Sequence, residues 1–330
     1  MLRFATGGIT LVLLIGVLLA AWLWFESINL KNLIPQSVSA TSYSEAVKRF
    51  GAWQTKDAVG INPVCHSQLL SHGDKVVHVI ILLHGYTNCP QQFRKLGETF
   101  YERGFNVLIP RMPHHGLADR MTTEQAKLTA EEMINYTSDL IDMAHGFGVH
   151  VTVFGFSAGG VMTAWAAQYR SDVDQAVIIS PALGVSLVPS ILTKPFVNLI
   201  LAIPNFFRWW DPEKKLSAPG PQYPYPRFSS YGLAQIMRLG LAIQADASRL
   251  KPQAHSIWVI TNVNDPSLNN PLISALVNHW RKQGAENLQT YEFNIDSLHE
   301  HDIIDPEQDY QQIKIIYPIL VELTTRGFTK

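Results

Sequence analysis

"VTVFGFSAGG" occupies residues 151–160 of a 330-residue chain. Its first half is apolar and β-branched and reads as a buried strand. The stretch from Ala158 to Arg170 reads as a helix. One serine, Ser157, stands at the junction, with Gly155 two residues before it and Gly159 two residues after. A serine hydroxyl is a weak nucleophile that needs a base, and donors for the oxyanion formed when it attacks a carbonyl. A sharp strand-to-helix turn supplies part of this. It lifts Oγ above the sheet and sets the free N–H groups of a helix N-terminus behind it. Strand and helix approach closely in such a turn, so the flanking positions must be very small, and the serine backbone is strained. A G-x-S-x-G pattern arises by chance often enough to mean little alone. The strand before it and the helix after it give it meaning.

Outward from this stretch the chain alternates. Strands are expected at 75–85 ("KVVHVIILLHG"), 105–113, 150–156, 174–182, 256–263 and 288–295. Helices are expected at 90–104, 129–148 (capped by Thr129 with Glu132), 158–170 and 271–284. A last helix is expected from about 306, with Asp305 as its N-cap and Pro306 as its first residue. This alternation means a mostly parallel sheet covered by helices on both faces, an α/β fold. It breaks over about 183–250, a stretch rich in proline and aromatics ("NFFRWWDP", 205–212), which reads as an insertion with short helices.

The N-terminus is a separate unit. Residues 4–25 carry no charge, and Trp22, Trp24 and Phe25 sit at their far end. As a helix the run spans about 33 Å, close to a bilayer core. It exceeds a usual signal-peptide core and lacks an A-x-A site after it, so a membrane anchor is favoured over a cleaved leader. The expected organisation is an anchor over 1–28, a connector with one helix over 29–60, and a catalytic-type domain over 61–330, outside the cytoplasm. In that compartment Cys65 and Cys89 are expected to pair. The alternative for both is a small buried hydrophobe. With 47% hydrophobic residues, 16% charged residues and a net charge of −1, the chain can build a sizeable core and has no basic character suited to nucleic acid.

Motif and element order together make the chain resemble the α/β-hydrolase superfamily of serine esterases and lipases, over about residues 75–325. The insertion at 183–250 takes the place of that family's helical cap. "LLHGYTNCP" (82–90) resembles its His-Gly oxyanion loop, which implies that the Tyr86 N–H joins the Ala158 N–H in an oxyanion hole. "RMPHHGLAD" (111–119) resembles the segment after the next strand. "NVNDPSLNN" (262–270) follows the strand where the family carries its acid, which implies Asp265. The family's histidine precedes the last helix, where "NIDSLHEHDIIDPEQ" (294–308) offers His301 and, as the alternative, His299.

The resemblance implies hydrolysis of carboxylic esters through a Ser157–His301–Asp265 triad and an acyl-enzyme, with no cofactor. Among family members, carboxylesterases, lysophospholipases and monoacylglycerol lipases suit a membrane-anchored chain with an ester or lipid substrate. Thioester or peptide hydrolysis on the same triad is an alternative. So is a membrane-tethered binding protein without catalysis, against which the complete Ser/His/Asp set argues. Asp265 could merely start a turn before Pro266. Asp302 and Asp305 compete with it as acids, but both follow the histidine. His84, His114 and His115 are expected to be structural. A metal site on His299, Glu300 and His301 has no supporting HExxH or CxxC pattern.

Overall fold

The apolar runs form a single sheet in the computed structural model, which describes residues 14, 16–18, 21–28, 30, 33–55, 60–296 and 298–326. Its strands are β1 (Gln68–Leu70), β2 (Val76–Leu83), β3 (Asn106–Ile109), β4 (Gly148–Phe156), β5 (Gln175–Ile179), β8 (Ser256–Asn262) and β9 (Leu288–Phe293), in the order β1-β3-β2-β4-β5-β8-β9. Every pairing is parallel except β1 with β3. Three-residue β1 is too short to carry a periodic signal in the sequence.

Alternation along the strands builds two cores. Ile81, Leu83, Val153, Ile178 and Val259 face one side, under α3 (Ala130–Phe147), α4 (Ala158–Tyr169), α6 (Ser230–Ala247) and α7 (Asn270–Lys282). Ile80, Leu82, Phe154, Phe156, Val177 and Ile260 face the other, under α2 (Arg94–Tyr101) and α8 (Ile313–Thr325). Register brings the carboxyl ends of the central strands level: Leu83 lies opposite Gly155, Phe156 opposite Ile179, and Ile179 opposite Ile260. The loops that follow β2, β4, β8 and β9 therefore gather at one edge of the sheet, where open α/β sheets bind ligands.

Three expectations change. The last helix starts at Ile313, with Gln312 before it, rather than near 306. Asp305 caps no helix. Its carboxylate is buried and accepts the Tyr223 hydroxyl at 2.6 and 2.7 Å, so the chain turns here and enters the helix later. The insertion holds more than short helices. After α5 (Thr193–Ala202) and a hairpin of β6 (Phe207–Trp209) with β7 (Arg227–Ser229), α6 runs for 18 residues, and Ile236, Leu239 and Ile243 join the main core.

The segment read as a connector carries its helix, α1 (Tyr43–Thr55), and buries Ala46 and Phe50 in the main core. Upstream of α1, Ser37 Oγ and Val38 N–H both bond Asp142 at 2.6 Å, and Asp142 pairs with Arg170. The expected membrane helix over 4–25 lies in large part outside the described residues. Among the described residues, no helix is long and apolar enough to cross a membrane.

Candidate active site

Ser157 follows β4 directly with φ +58°, a positive-φ backbone that costs a non-glycine residue free energy. The flanking glycines are required by space. A Cβ on Gly155 would lie 2.1 Å from the Gly159 carbonyl oxygen, and one on Gly159 would lie 1.9 Å from that of Leu83. The Ser157 N–H donates to the Ile179 carbonyl at 2.9 Å, which pins the turn to β5.

His301 Nε2 lies 2.9 Å from Ser157 Oγ, and His301 Nδ1 lies 2.7 Å from Asp265 Oδ2. A carboxylate only accepts, so Nδ1 carries the proton and Nε2 is free to accept from the serine hydroxyl. The Asp265 side chain is 1% exposed, and its other oxygen accepts the Ser267 N–H. Burial pulls the His301 pKa down, but the charge and hydrogen bond of Asp265, then the charge of Asp302, outweigh it and raise the pKa above the ordinary value. His299, the alternative, is exposed to solvent. Both nitrogens of His301 are engaged, so His301 has none left for a metal. Among the described residues no cluster of three or more His, Cys, Asp or Glu is arranged to hold one.

The Ala158 N–H, at the first position of α4, has no acceptor within its own helix. The Tyr86 N–H belongs to the Gly85–Tyr86 peptide, whose carbonyl is bonded on the opposite side by His84 Nδ1 at 2.9 Å and Asn88 N–H at 3.2 Å. That fixes the plane of the peptide and turns its N–H away from these partners. His84 accepts the Met112 N–H on Nε2. Its complete burial pushes its pKa down to about 4, so the ring stays neutral in this single tautomer. His84 orients the 82–90 loop, a role that its position in the His-Gly motif hinted at but did not specify. Thr87, the next residue, has φ +66°, and it ties the insertion down: it accepts Trp210 Nε1–H on its hydroxyl at 2.9 Å and Tyr225 N–H on its carbonyl at 2.8 Å.

Asn262 had no sequence signal. Buried at the end of β8, it donates through Nδ2 to the Leu298 and Glu300 carbonyls, so the acid's strand holds the histidine's loop. His114 bonds Glu124 and Glu132, and His115 bonds the Pro113 carbonyl, so both support the loop after β3. Cys65 and Cys89 form a disulfide with Cα atoms 5.3 Å apart, buried with Tyr223 at the end of the 82–90 loop.

A strained serine turn with this histidine and acid, in the order Ser, Asp, His along a mostly parallel sheet, is the arrangement found on the α/β-hydrolase fold, and the chain has that fold. Residues 74–224 match the family model described as serine aminopeptidase, S33. The chain is 25% identical over 118 residues to the thermostable monoacylglycerol lipase of Bacillus sp. (strain H-257), and 29% identical over 119 residues to phospholipase YtpA of Bacillus subtilis (strain 168). Each match takes in 34% of this chain and spans 44% of the relative's length. In three dimensions it is similar to the metagenome-derived lipolytic enzymes LipS and LipT, with a TM-score of 0.60 at 17% identity over 81% of this chain and 98% of the other. The monoacylglycerol lipase of Paleococcus ferrophilus gives a TM-score of 0.58 at 17% identity over 79% and 98%.

Proposed function

We propose that the protein is a serine hydrolase of carboxylic esters, acting on monoacylglycerol- or lysophospholipid-like substrates through Ser157, His301 and Asp265. The observation that carries this reading is the unbroken hydrogen-bonded path from Ser157 Oγ through His301 to buried Asp265. Ser157 Oγ attacks the ester carbonyl carbon while His301 Nε2 takes the hydroxyl proton. The Tyr86 and Ala158 N–H groups receive the oxyanion, and Asp265 holds the imidazolium. Collapse breaks the bond to the alcohol, which leaves with the proton from His301. Water then attacks the acyl-Ser157 carbonyl, gives its proton to His301, and the carboxylic acid departs as that proton returns to Ser157.

The lipid substrate class is drawn from the lipases among the relatives and from the uncharged run at 4–25, which on this reading anchors the chain in a membrane with the hydrolase domain outside the cytoplasm. The apolar side chains of Leu14, Val17, Leu18 and Phe25 are exposed, and a bilayer would cover them. A peptidase reading is favoured by one observation, the description of the matching family model. Turnover of a panel of mono- and diacyl esters, thioesters and aminoacyl amides by the full chain in detergent tests both. Preference for the monoacyl esters is expected. Faster turnover of the amides would overturn the ester reading.

A further inference from the structure

Asp302, directly after His301, satisfies more donors than a structural turn needs. Its Oδ1 accepts the Ile304 and Asp305 N–H groups, both at 3.1 Å. Its Oδ2 accepts Gln92 Nε2 at 2.8 Å, Asn88 Nδ2 at 3.3 Å and Gln308 Nε2 at 3.4 Å. Asn88 lies in the oxyanion loop, and Gln92 lies in the turn that follows it. Gln92 is buried at 1% exposure, where an amide is costly unless both ends are bonded. Its other end, Oε1, accepts the Gly85 N–H at 2.9 Å, one peptide before the one that carries the Tyr86 N–H. A continuous path thus joins the loop that supplies the oxyanion donor to the loop that supplies the base, across 210 residues of chain.

We propose that Gln92 and Asp302 are positioning residues for hydrolysis, a strut that fixes the Tyr86 N–H and His301 in one geometry around Ser157. This rests on the triad reading above. The chemistry explains the residue types. Five donors converge on one carboxylate, and only an ionised, acceptor-only group satisfies donors on both of its oxygens. Asparagine would turn its own N–H groups toward one set of them. The Asp302 charge also adds to that of Asp265 in keeping His301 basic. The acid pair continues into Asp305, whose carboxyl is pushed up to about 6 by burial and by the charge of Asp302. Tyr223 from the insertion bonds Asp305, so the strut also reaches the cap.

The test compares Asp302→Asn, Gln92→Glu and the double variant in the full chain. Turnover is counted per site titrated with a fluorophosphonate, and His301 is titrated by NMR. Gln92→Glu keeps an acceptor for the Gly85 N–H but sets two carboxylates against each other. The double variant restores a donor–carboxylate pair in reverse order. Each single variant is expected to lose about tenfold in kcat with little change in KM, and the double variant to recover most of the Gln92→Glu loss. The His301 pKa is expected to fall in Asp302→Asn through loss of the charge, whereas recovery of kcat in the double variant, which loss of that charge alone would not produce, reads the Gln92–Asp302 pairing itself. If Gln92→Glu does not fold, Gln92→Met, of similar volume, is measured in its place by the same two readouts. Turnover of Asp302→Asn within about twofold of wild type per titrated site, or an unshifted His301, would overturn the proposal. Should wild-type protein hydrolyse no ester, or Ser157→Ala retain activity, the triad reading fails instead. The strut is then read without substrate from the Gly85 and Tyr86 amide NMR shifts, which are expected to move in each single variant and to return toward wild type in the double variant, and unchanged shifts would overturn it.

Discussion

At the scale of single residues, the site depends on protonation as much as on position. Ser157→Ala should lower kcat by several orders of magnitude while circular dichroism and Tm stay those of wild type. His301→Ala should fall almost as far, and His299→Ala should stay within about threefold, because only His301 spans Ser157 and Asp265. A Ser157→Ala protein with a tenth of wild-type turnover would end the assignment. The pH profile carries a second expectation. His301 must be neutral to accept the serine proton, and its pKa is raised by Asp265 and Asp302 against the effect of burial. The acid limb of kcat/KM, which reports the free enzyme, is therefore expected above the ordinary histidine value of about 6.5, with activity growing as pH rises through it. A limb below that value would mean that desolvation prevails.

At the scale of elements, loops are held by local devices with separable signatures. His114, at φ +64°, bridges Glu132 in the first turn of α3 and Glu124 in the turn before it, and its pKa is raised mainly by the hydrogen bond to Glu132. A raised folded-state pKa stabilises fully below the unfolded value, and the gain is lost as pH rises through the folded one. His114→Asn keeps a residue that tolerates this backbone and removes the charge. It is expected to cost about 0.5–1 kcal/mol in urea unfolding at pH 5.5 and almost nothing at pH 9, the pairs being partly exposed. A cost independent of pH would show that packing, rather than charge, is at stake. The disulfide closes a separation of 24 residues around β2, and by chain-entropy reasoning the double Cys→Ser variant should lose roughly 3 kcal/mol. Unfolding free energies of the two proteins check this.

At the scale of the whole molecule, the N-terminal segment touches the insertion. Asn198 of α5 donates to the Leu23 carbonyl at 2.8 Å, and the insertion exposes Leu187 (81%) and Ile191 (71%). If 4–25 anchors the chain as proposed, a chain beginning at residue 29 is expected to leave the membrane fraction and keep its turnover per titrated site, since none of the proposed catalytic or oxyanion groups lies before it. A chain beginning at 42 should be markedly less stable, because it loses the bonds of Ser37 and Val38 to Asp142 and that of the Leu33 carbonyl to Trp165. Retention of the 29–330 chain on membranes would identify the apolar insertion as a second attachment.

Periodicity and short motifs are local, and what they encode was readable from the residues alone. The β-strand runs, α3 with its Thr129 cap, and the Gly155–Ser157–Gly159 turn follow from side-chain alternation, capping chemistry and the steric need for glycine. Ser157 is marked by its own turn, whereas Asp265 and His301 follow from the resemblance to α/β hydrolases, which implies an acid after β8 and a histidine before the last helix. Other features depend on residues far apart in the chain, and only tertiary structure decided them. Asp305 suits an N-cap by sequence, yet a tyrosine 82 positions away claims its carboxylate. The choice between His299 and His301 turns on which ring reaches both Ser157 and Asp265. The roles of His84, Gln92 and Asn262 are hydrogen bonds between loops, set by the register that brings the strand ends level. Local sequence determined which elements form and where a nucleophile turn sits. The packing of those elements decided which polar side chains meet at the edge of the sheet, because a buried donor or acceptor takes whichever partner the fold delivers.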